Sequence, residues 1–474
     1  MVRSEVSQNT ISLIKYYVLN VFLTPNLVII IGAGLGGCAA AMAMHYQGFH
    51  VTVFEKIKKF LRLGDSLGLG ENALKLLKRW GLHEQLVKIG NRSPNMNIRR
   101  WSDGKILATQ PLMDMAGYIG HRGDYHQAFL DRVAELGIDI KMGHNVISFN
   151  EEKPSITLED GREFEADIII GADGIKSQTR ELVLGFADKP KSSGYACYRA
   201  YFKGDILRSV PQCQPILERD CVNIWIGPDT HLVQNTLRDG EEFNWILTHK
   251  DDEDIQESWF QPGDMNKVRE SIKDWDPMIV SAVNETRECL DWKICYRDPI
   301  PTWVSKSHKI ALLGDSCHAH LPTSAQGASQ ATESAAVLAL CLKLAGKGNI
   351  PLATRVYEKL RFERVRQAQL NGEDVRDRWH SCLKNLEEGK EVDPEDVKMK
   401  NRWLYVFDAE KETLEKWDRV SAIVKKELAE GKVTPLFDSS TGPTRNLELY
   451  DAYGNRKADT KLIPKKQQPV TAVH

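Results

Sequence analysis

The sequence predicts an α/β chain: a parallel-sheet domain interrupted by an antiparallel-sheet domain and followed by a helical C-terminal region. Three observations carry that prediction. An apolar run, LVIII at Leu27–Ile31, breaks into glycines and then into a small-residue segment. Two later apolar runs end in a turn that pairs glycine with an acid, at Gly171-Ala172-Asp173-Gly174 and at Gly314-Asp315. Between Arg180 and Lys309 such motifs stop, and alternating, aromatic-rich runs take over. Strands buried on both faces read as continuous apolar runs, whereas half-covered antiparallel strands alternate.

A chain of 474 residues is too long for one small core, so several units are expected. The parallel-sheet domain is placed at 27–185 and 305–370, and the antiparallel domain at 186–304, with parts of 90–120 as candidate extra strands. A helical extension is placed at 371–430 and a disordered tail at 431–474. The composition is ordinary, 42% hydrophobic and 27% charged with a net charge of −2, which points to neither nucleic acid nor an anionic membrane as partner. Nine cysteines are spread singly without a Cys-x-x-Cys pair, the pattern of reduced intracellular thiols rather than of a disulfide framework or zinc site. Near the start, ISLIKYYVLNVFL is interrupted by Lys15 and falls short of the roughly 20 apolar residues a bilayer span needs. No small-residue cleavage site follows it. Residues 1–26 are therefore read as a leader outside the fold of a cytoplasmic protein, with membrane association through residues 10–31 as the weaker alternative.

The first island carries the most chemistry. After LVIII come GAGLGG and then CAAAMAMHYQG, so Gly32, Gly34 and Gly37 form G-x-G-x-x-G between a strand and a helix. The first glycine allows the tight turn, the second lets backbone approach a pyrophosphate, and the third lets helix pack on sheet. Unpaired N–H groups at the helix start then face the phosphate charge. A second apolar strand, HVTVF from His50, ends at Glu55, 18 residues past Gly37, where a ribose-binding acid is expected. Glutamate there argues against a 2′-phosphate. On this motif alone NAD and FAD both stay open. Three strand-to-turn islands favour FAD, because its adenosine, pyrophosphate, ribityl chain and ring must each be held.

The islands together resemble the FAD-dependent aromatic monooxygenases of the para-hydroxybenzoate and salicylate hydroxylase type, especially their fungal natural-product branch. The matching stretches are IGAGLGG with Glu55, NALKLLKRWGL from Asn72, HRGDYHQAFLDRV from His121, DIIIGADGIKSQTR from Asp167, CYRA from Cys197, GDSCHAHLPTSAQGASQATESA from Gly314 and RWLYVFDAEKETLEKW from Arg402. The resemblance implies a glutathione-reductase-like, Rossmann-type FAD domain with an inserted substrate domain. It implies that Gly32, Gly34 and Gly37 cradle the FAD pyrophosphate and that Glu55 holds the adenosine ribose. Arg122 would contact the phosphate or ribityl region, and Asp173 and Gly174 would serve both FAD and a visiting nicotinamide. Asp315 would bind the ribityl hydroxyls, Pro322 would shape the floor by the reactive flavin atoms, and the backbone at Gly327 and Ala328 would face the ring. Gly68, in the glycine-rich loop RLGDSLGLGEN, is a weaker cofactor candidate. Two departures stand out. Ala319 follows His318 where proline is common in the family, and Asp65 sits in the glycine-rich loop, read here first as solvated surface and second as a polar group near flavin or substrate.

In the antiparallel domain the resemblance points to Arg199, in CYRA, as the group that faces flavin and substrate. A fixed guanidinium there would hold a phenolate or carboxylate and stabilise charge on the leaving flavin oxygen. His231 opens a strand about where some relatives carry a tyrosine base; it is read as a structural histidine first and a substrate group second. His318 and His320 lack an acid partner and are not read as metal ligands, and Trp225, Trp245 and Trp303 are read as core or pocket wall. The activity implied is hydroxylation, with or without decarboxylation, of a phenolic or benzoate-like ring in fungal secondary metabolism. NADH or NADPH would reduce FAD transiently and O2 would form a flavin C4a-hydroperoxide. The alternatives are epoxidation or Baeyer–Villiger oxygenation of a polyketide or indole product, or an oxidase or dehydrogenase without oxygen insertion. Toward the C-terminus, Ala325–Leu344 reads as an apolar helix and Pro351–Leu370 as an amphipathic one, followed by a loop at NLEEGKEVDPED and a helical return at RWLYVFDAEKETLEKW.

Overall fold

The computed structural model describes residues 26–62, 64–114, 117–228, 230–251, 261–387, 393–399 and 401–437. Its centre is a five-stranded parallel sheet in the order β18 (Ile310–Leu312), β11 (Ile168–Gly171), β1 (Leu27–Ile31), β2 (His50–Glu55), β7 (Asp139–Met142). Every neighbouring pair runs parallel. Isoleucines fill its middle: Ile30, Ile168, Ile169 and Ile170 are fully buried. LVIII therefore lies in the sheet, which removes residues 27–31 from any membrane-associating segment. No helix among the described residues is long and apolar enough to cross a membrane.

Helix α1 (Leu35–Tyr46) follows β1 and buries nearly all of its small side chains, Cys38 to Met44. Small residues let α6 (Gly327–Ala345) lie close against it: a β-carbon on Gly36 would stand 3.4 Å from that of Ala331. Two more helices complete the layer, α2 (Glu71–Arg79) and α3 (Arg122–Glu135), with β3 (Ser66–Leu69) and β6 (Tyr118–His121) paired as a ribbon beside them. On the other face sits the three-stranded sheet of β8 (Val146–Asn150), β9 (Ser155–Leu158) and β10 (Glu163–Glu165), packed through Ile156 and Leu158 on Ile29, Ile31 and Ile169.

The second large sheet has eight strands in the order β16 (Pro262–Gly263), β17 (Cys289–Tyr296), β12 (Lys191–Lys203), β15 (Glu242–Lys250), β14 (Thr230–Leu237), β13 (Cys221–Gly227), β4 (Asn95–Arg100), β5 (Ile106–Pro111). Among the described residues its only parallel pair is β13 with β4; the other pairs are antiparallel. One face buries Trp225, Trp245, Leu232 and Phe243 under two short helices, and both indole N–H groups are satisfied, by Asp276 and Thr286. The opposite face meets the parallel-sheet domain and the long C-terminal helix.

That helix extends the sequence reading. α7 runs unbroken from Ile350 to Glu387, past Leu370, where the amphipathic helix was expected to end and a separate helical extension to begin. Apolar side chains continue at helical spacing through Ala368, Val375 and Trp379, which pack on β13 and β4, so burial rather than composition decides the extent. Asn385–Glu387 of the expected loop belong to this helix, and 388–392 lie outside the described residues. The chain returns through α8 (Arg402–Tyr405) and α9 (Ala409–Ala429) onto the body. Nor do residues 431–437 leave it: Leu436 N–H donates to Pro301 O at 2.8 Å, Arg355 donates to Thr434 O at 2.9 Å, and Phe437 stacks on Phe362. Asn26, read as the last residue of the leader, is instead buried, and its carbonyl accepts from His50 N at 3.1 Å; residues 1–25 of the expected leader and 438–474 of the expected tail lie outside the described residues.

Candidate active site

The turn after β1 is built for close approach. Gly32 has a φ of +96°, and a β-carbon there would stand 2.5 Å from Ala172 O. A β-carbon on Gly37 would run into the carbonyl oxygen of Gly32. Gly34 differs: a β-carbon there would meet nothing within 4 Å, so the backbone faces open space in front of the α1 N-terminus. No acid occupies the first turn of α1. These are the shapes a pyrophosphate needs: two glycines jammed to make the turn, and a third left bare toward the ligand. Glu55 is buried, and its two oxygens accept from Ala33 N and Ile57 N at 2.8 Å each, which fixes the carboxylate and leaves lone pairs for sugar hydroxyls. His126 donates from Nε2 to Ala33 O at 2.7 Å and braces the same turn.

The β11 turn lies against it. Asp173 accepts from Ser177 Oγ at 2.5 Å and from Thr179 N and Oγ1 at 3.1 Å, so its carboxylate orders the start of α4 (Gln178–Leu184). Gly174 beside it takes a φ of +79°. The third turn, after β18, places Gly314 at a φ of +69° and opens α5 (Asp315–His318) with Asp315. Protein crowds around the Asp315 carboxyl and pushes its pKa up, while the Arg122 guanidinium pulls it back. Arg122 starts α3, and Asp315, Arg199 and Asp65 all act on its charge, so the four groups lie in one electrostatic neighbourhood.

Arg199 lies on β12, with its side chain 2% exposed. Its Nη1 donates to Asp65 Oδ2 at 2.9 Å, and its guanidinium stands 4.1 Å from the ring centroid of Trp292 on β17. Asp65 is thus no solvated surface residue. Its side chain is 12% exposed, its carbonyl accepts from Arg122 N at 2.7 Å, and its carboxylate is the partner of Arg199. Burial pushes the Asp65 pKa up, and Arg199 and then Arg122 oppose that. Nothing in local pattern foretells a pair 134 residues apart; the one signal was an acid inside a glycine-rich loop.

The remaining candidates fall into place around these charges. Pro322 opens a single 3₁₀ turn, Ala325 takes a φ of +49°, and Gly327 and Ala328 begin α6. Thr323 Oγ1 donates to Gly372 O at 2.8 Å and Gln369 to Ala319 O at 2.9 Å, so α7 clamps the loop that carries Pro322. Beside that loop a cleft of about 350 Å³ opens between Ser192, Tyr296, Leu321 and Arg366. Gly68 lies in the β3–β6 ribbon, opposite Ile119. His231 occupies the same face of the large sheet as Arg199, two strands away. Strand spacing puts it roughly 12 Å from Arg199. Buried there, it meets Thr248 Oγ1 at 3.2 Å and the edge of Trp379. His318 reaches Ser334 Oγ at 3.0 Å, and the described residues hold no cluster of His, Cys, Asp and Glu fit for a metal ion.

Comparison with known proteins agrees with this geometry. Residues 26–368 match the family model of an FAD binding domain. A 6-hydroxynicotinate 3-monooxygenase of Pseudomonas fluorescens is 32% identical over 354 residues, spanning 72% of this chain and 89% of that one. Asperlicin C monooxygenase of Petromyces alliaceus is 30% identical over 367 residues, covering 74% and 80%. Among solved structures, CtdE in complex with FAD and a substrate aligns at a TM-score of 0.77 and 28% identity, over 84% of this chain and all of that one. A salicylate hydroxylase substrate complex aligns at 0.70 and 22%, over 84% and 98%, a likeness of fold. With its glycine turn, fixed glutamate and converging charges, the chain belongs to this FAD-binding family and is an FAD-dependent monooxygenase.

Proposed function

We propose that the protein uses NADH or NADPH and O2 to hydroxylate an electron-rich aromatic ring. Bound at Gly32–Gly37, Glu55, Arg122 and Asp315, FAD supplies the oxygen-activating chemistry that no side chain provides. The chain's own residues do the rest. Arg199 is the observation that carries the reading: a buried guanidinium, stacked on Trp292 and aimed by Asp65, whose charge is felt by Arg122 as is that of Asp315. It can hold a phenolic oxygen and stabilise negative charge that grows as oxygen is transferred. Trp292 and the loop at Pro322 keep water from the reacting atoms. Because Asp65 cancels the Arg199 charge, the pair favours a neutral phenol or fused aromatic over a free benzoate. That balance also supports a second reading, oxygenation of a neutral indole or polyketide product.

The test is to load the purified protein with FAD and offer phenols, aromatic acids and indoles, following NADH and NADPH oxidation with product mass under isotopically labelled dioxygen. Stimulated oxidation with one labelled oxygen in the product is expected. A product oxidised without label would make the protein an oxidase or dehydrogenase instead. Arg199→Ala should keep its FAD absorbance and divert turnover to hydrogen peroxide, lowering product yield roughly 10²-fold. Unchanged coupling would remove Arg199 from the site.

A further inference from the structure

Over its buried stretch, Ser329–Leu342, helix α6 carries one charged residue, Glu333, among small, apolar and a few neutral polar residues. Its side chain is fully buried. Two guanidinium groups from α7 converge on it. Arg361 Nη1 lies 2.5 Å from Oε2; Arg364 Nε lies 2.7 Å from Oε2 and its Nη2 2.7 Å from Oε1. Arg361 and Arg364 side chains are 1% and 5% exposed. Burial alone would push the Glu333 pKa up, yet the two arginines outweigh it and hold it at about 2, so the carboxylate is charged. The site therefore holds two cations against one anion. His318 and His320 stand nearby, and burial pushes both down, His320 to about 4, so neither adds charge near neutral pH. Burial likewise keeps the Tyr357 hydroxyl protonated.

A single arginine would neutralise Glu333, and a surplus buried charge is costly to keep. Its location suggests what it does. Glu333 lies six residues beyond Gly327 on α6. At 1.5 Å per residue that is roughly 9 Å from the helix start expected to face the flavin ring. A continuous set of contacts joins the two places: Asn72 from α2 donates both to Glu333 and to Gln326 Oε1, and Arg361 Nη2 holds Gln330 Oε1 at 2.6 Å. Arg364 is fixed from behind, donating to Leu404 O at 2.7 Å and lying 3.5 Å from the Phe407 ring centroid.

We propose that Arg361 and Arg364, half-neutralised by Glu333, form a buried cationic base that raises the reduction potential of the FAD bound at the start of α6. Uptake of two electrons and one proton leaves the ring system a monoanion, which a positive charge beneath it favours over the neutral oxidised form. One unit charge about 10 Å away at an effective dielectric near 20 supplies roughly a tenfold bias.

The experiment titrates FAD-loaded protein anaerobically with reductant against a dye of known potential. Arg361→Gln should lower the midpoint and Glu333→Gln should raise it, each by a roughly tenfold change in the oxidised-to-reduced ratio, about 30 mV for a two-electron couple. Arg361→Lys should stay near the parent. Loosened packing would push both glutamine variants the same way, so shifts of one sign, or none, overturn the proposal. If Arg361→Gln does not fold, Arg364→Gln removes the same charge from the other side and must lower the midpoint. A parent protein that binds no FAD would overturn this proposal together with the family assignment.

Discussion

Gly34 and Gly37 stand three residues apart and answer a methyl group in opposite ways. At Gly37 the added carbon strikes the Gly32 carbonyl, so Gly37→Ala should cost about 3 kcal/mol of stability even without FAD. At Gly34 it enters open space, so Gly34→Ala should unfold within about 0.5 kcal/mol of the parent in urea. Its FAD dissociation constant, read by fluorescence titration, should nevertheless rise roughly tenfold, because backbone no longer reaches the pyrophosphate. Equal stability loss in both variants would show that the two glycines share one packing role. At this scale the sequence was legible where a motif binds chemistry to fixed spacing, as at Gly32, Gly34, Gly37 and Glu55. It was illegible where a residue's meaning lies in a distant partner. Asp65 needed Arg199, and Glu333 needed two arginines 28 and 31 residues on, although a lone acid in a buried helix was itself a sign that a cation must meet it.

Helix α3 aims Arg122, and its start depends on the ring before it. His121 accepts from Gly123 N through Nδ1 at 3.1 Å, which only the neutral ring can do. Burial, then Arg62, pushes the His121 pKa from 6.5 down to about 4. The folded state thus binds this proton more weakly than the unfolded chain. Its contribution is complete above about pH 6.5 and fades as pH falls toward about 4. Urea unfolding at about pH 7 and about pH 5 should show a larger acid loss for the parent than for His121→Asn, which keeps an acceptor without titrating. Equal losses would mean the cap is not the titrating element. Periodicity located the elements near the cofactor turns well, since α1 and β1 carry their signals in consecutive residues. It placed the end of α7 at Leu370, short of Val375 and Trp379, which continue the apolar spacing where β13 and β4 meet that helix.

Across the molecule, an ion cluster spans the seam between the two large sheets. Arg62 Nε lies 2.6 Å from Asp124 and its Nη2 3.1 Å from Glu242; Arg238 reaches the same two acids at 2.9 and 3.1 Å. The Tyr201 hydroxyl also meets Glu242. Both arginines are more than two-fifths exposed, so each pair alone is weak, and the value lies in the network. Asp124→Asn should cost about 1 kcal/mol in dilute buffer, and about 1 M NaCl should shrink that difference by screening. A salt-independent loss would assign Asp124 to the α3 start instead. The alternation of parallel and antiparallel texture foretold both sheets, but not this seam, because no local pattern records which surfaces meet.

β18 joins β11 across a gap of some 140 residues, and α6 comes later still. A nascent chain emerging from the ribosome thus exposes its glycine turn long before the helix proposed to underlie the flavin exists. On that placement, vitamin capture awaits synthesis of the segment past Ile310, and chains stalled before it should leave the ribosome colourless however much flavin the cell provides.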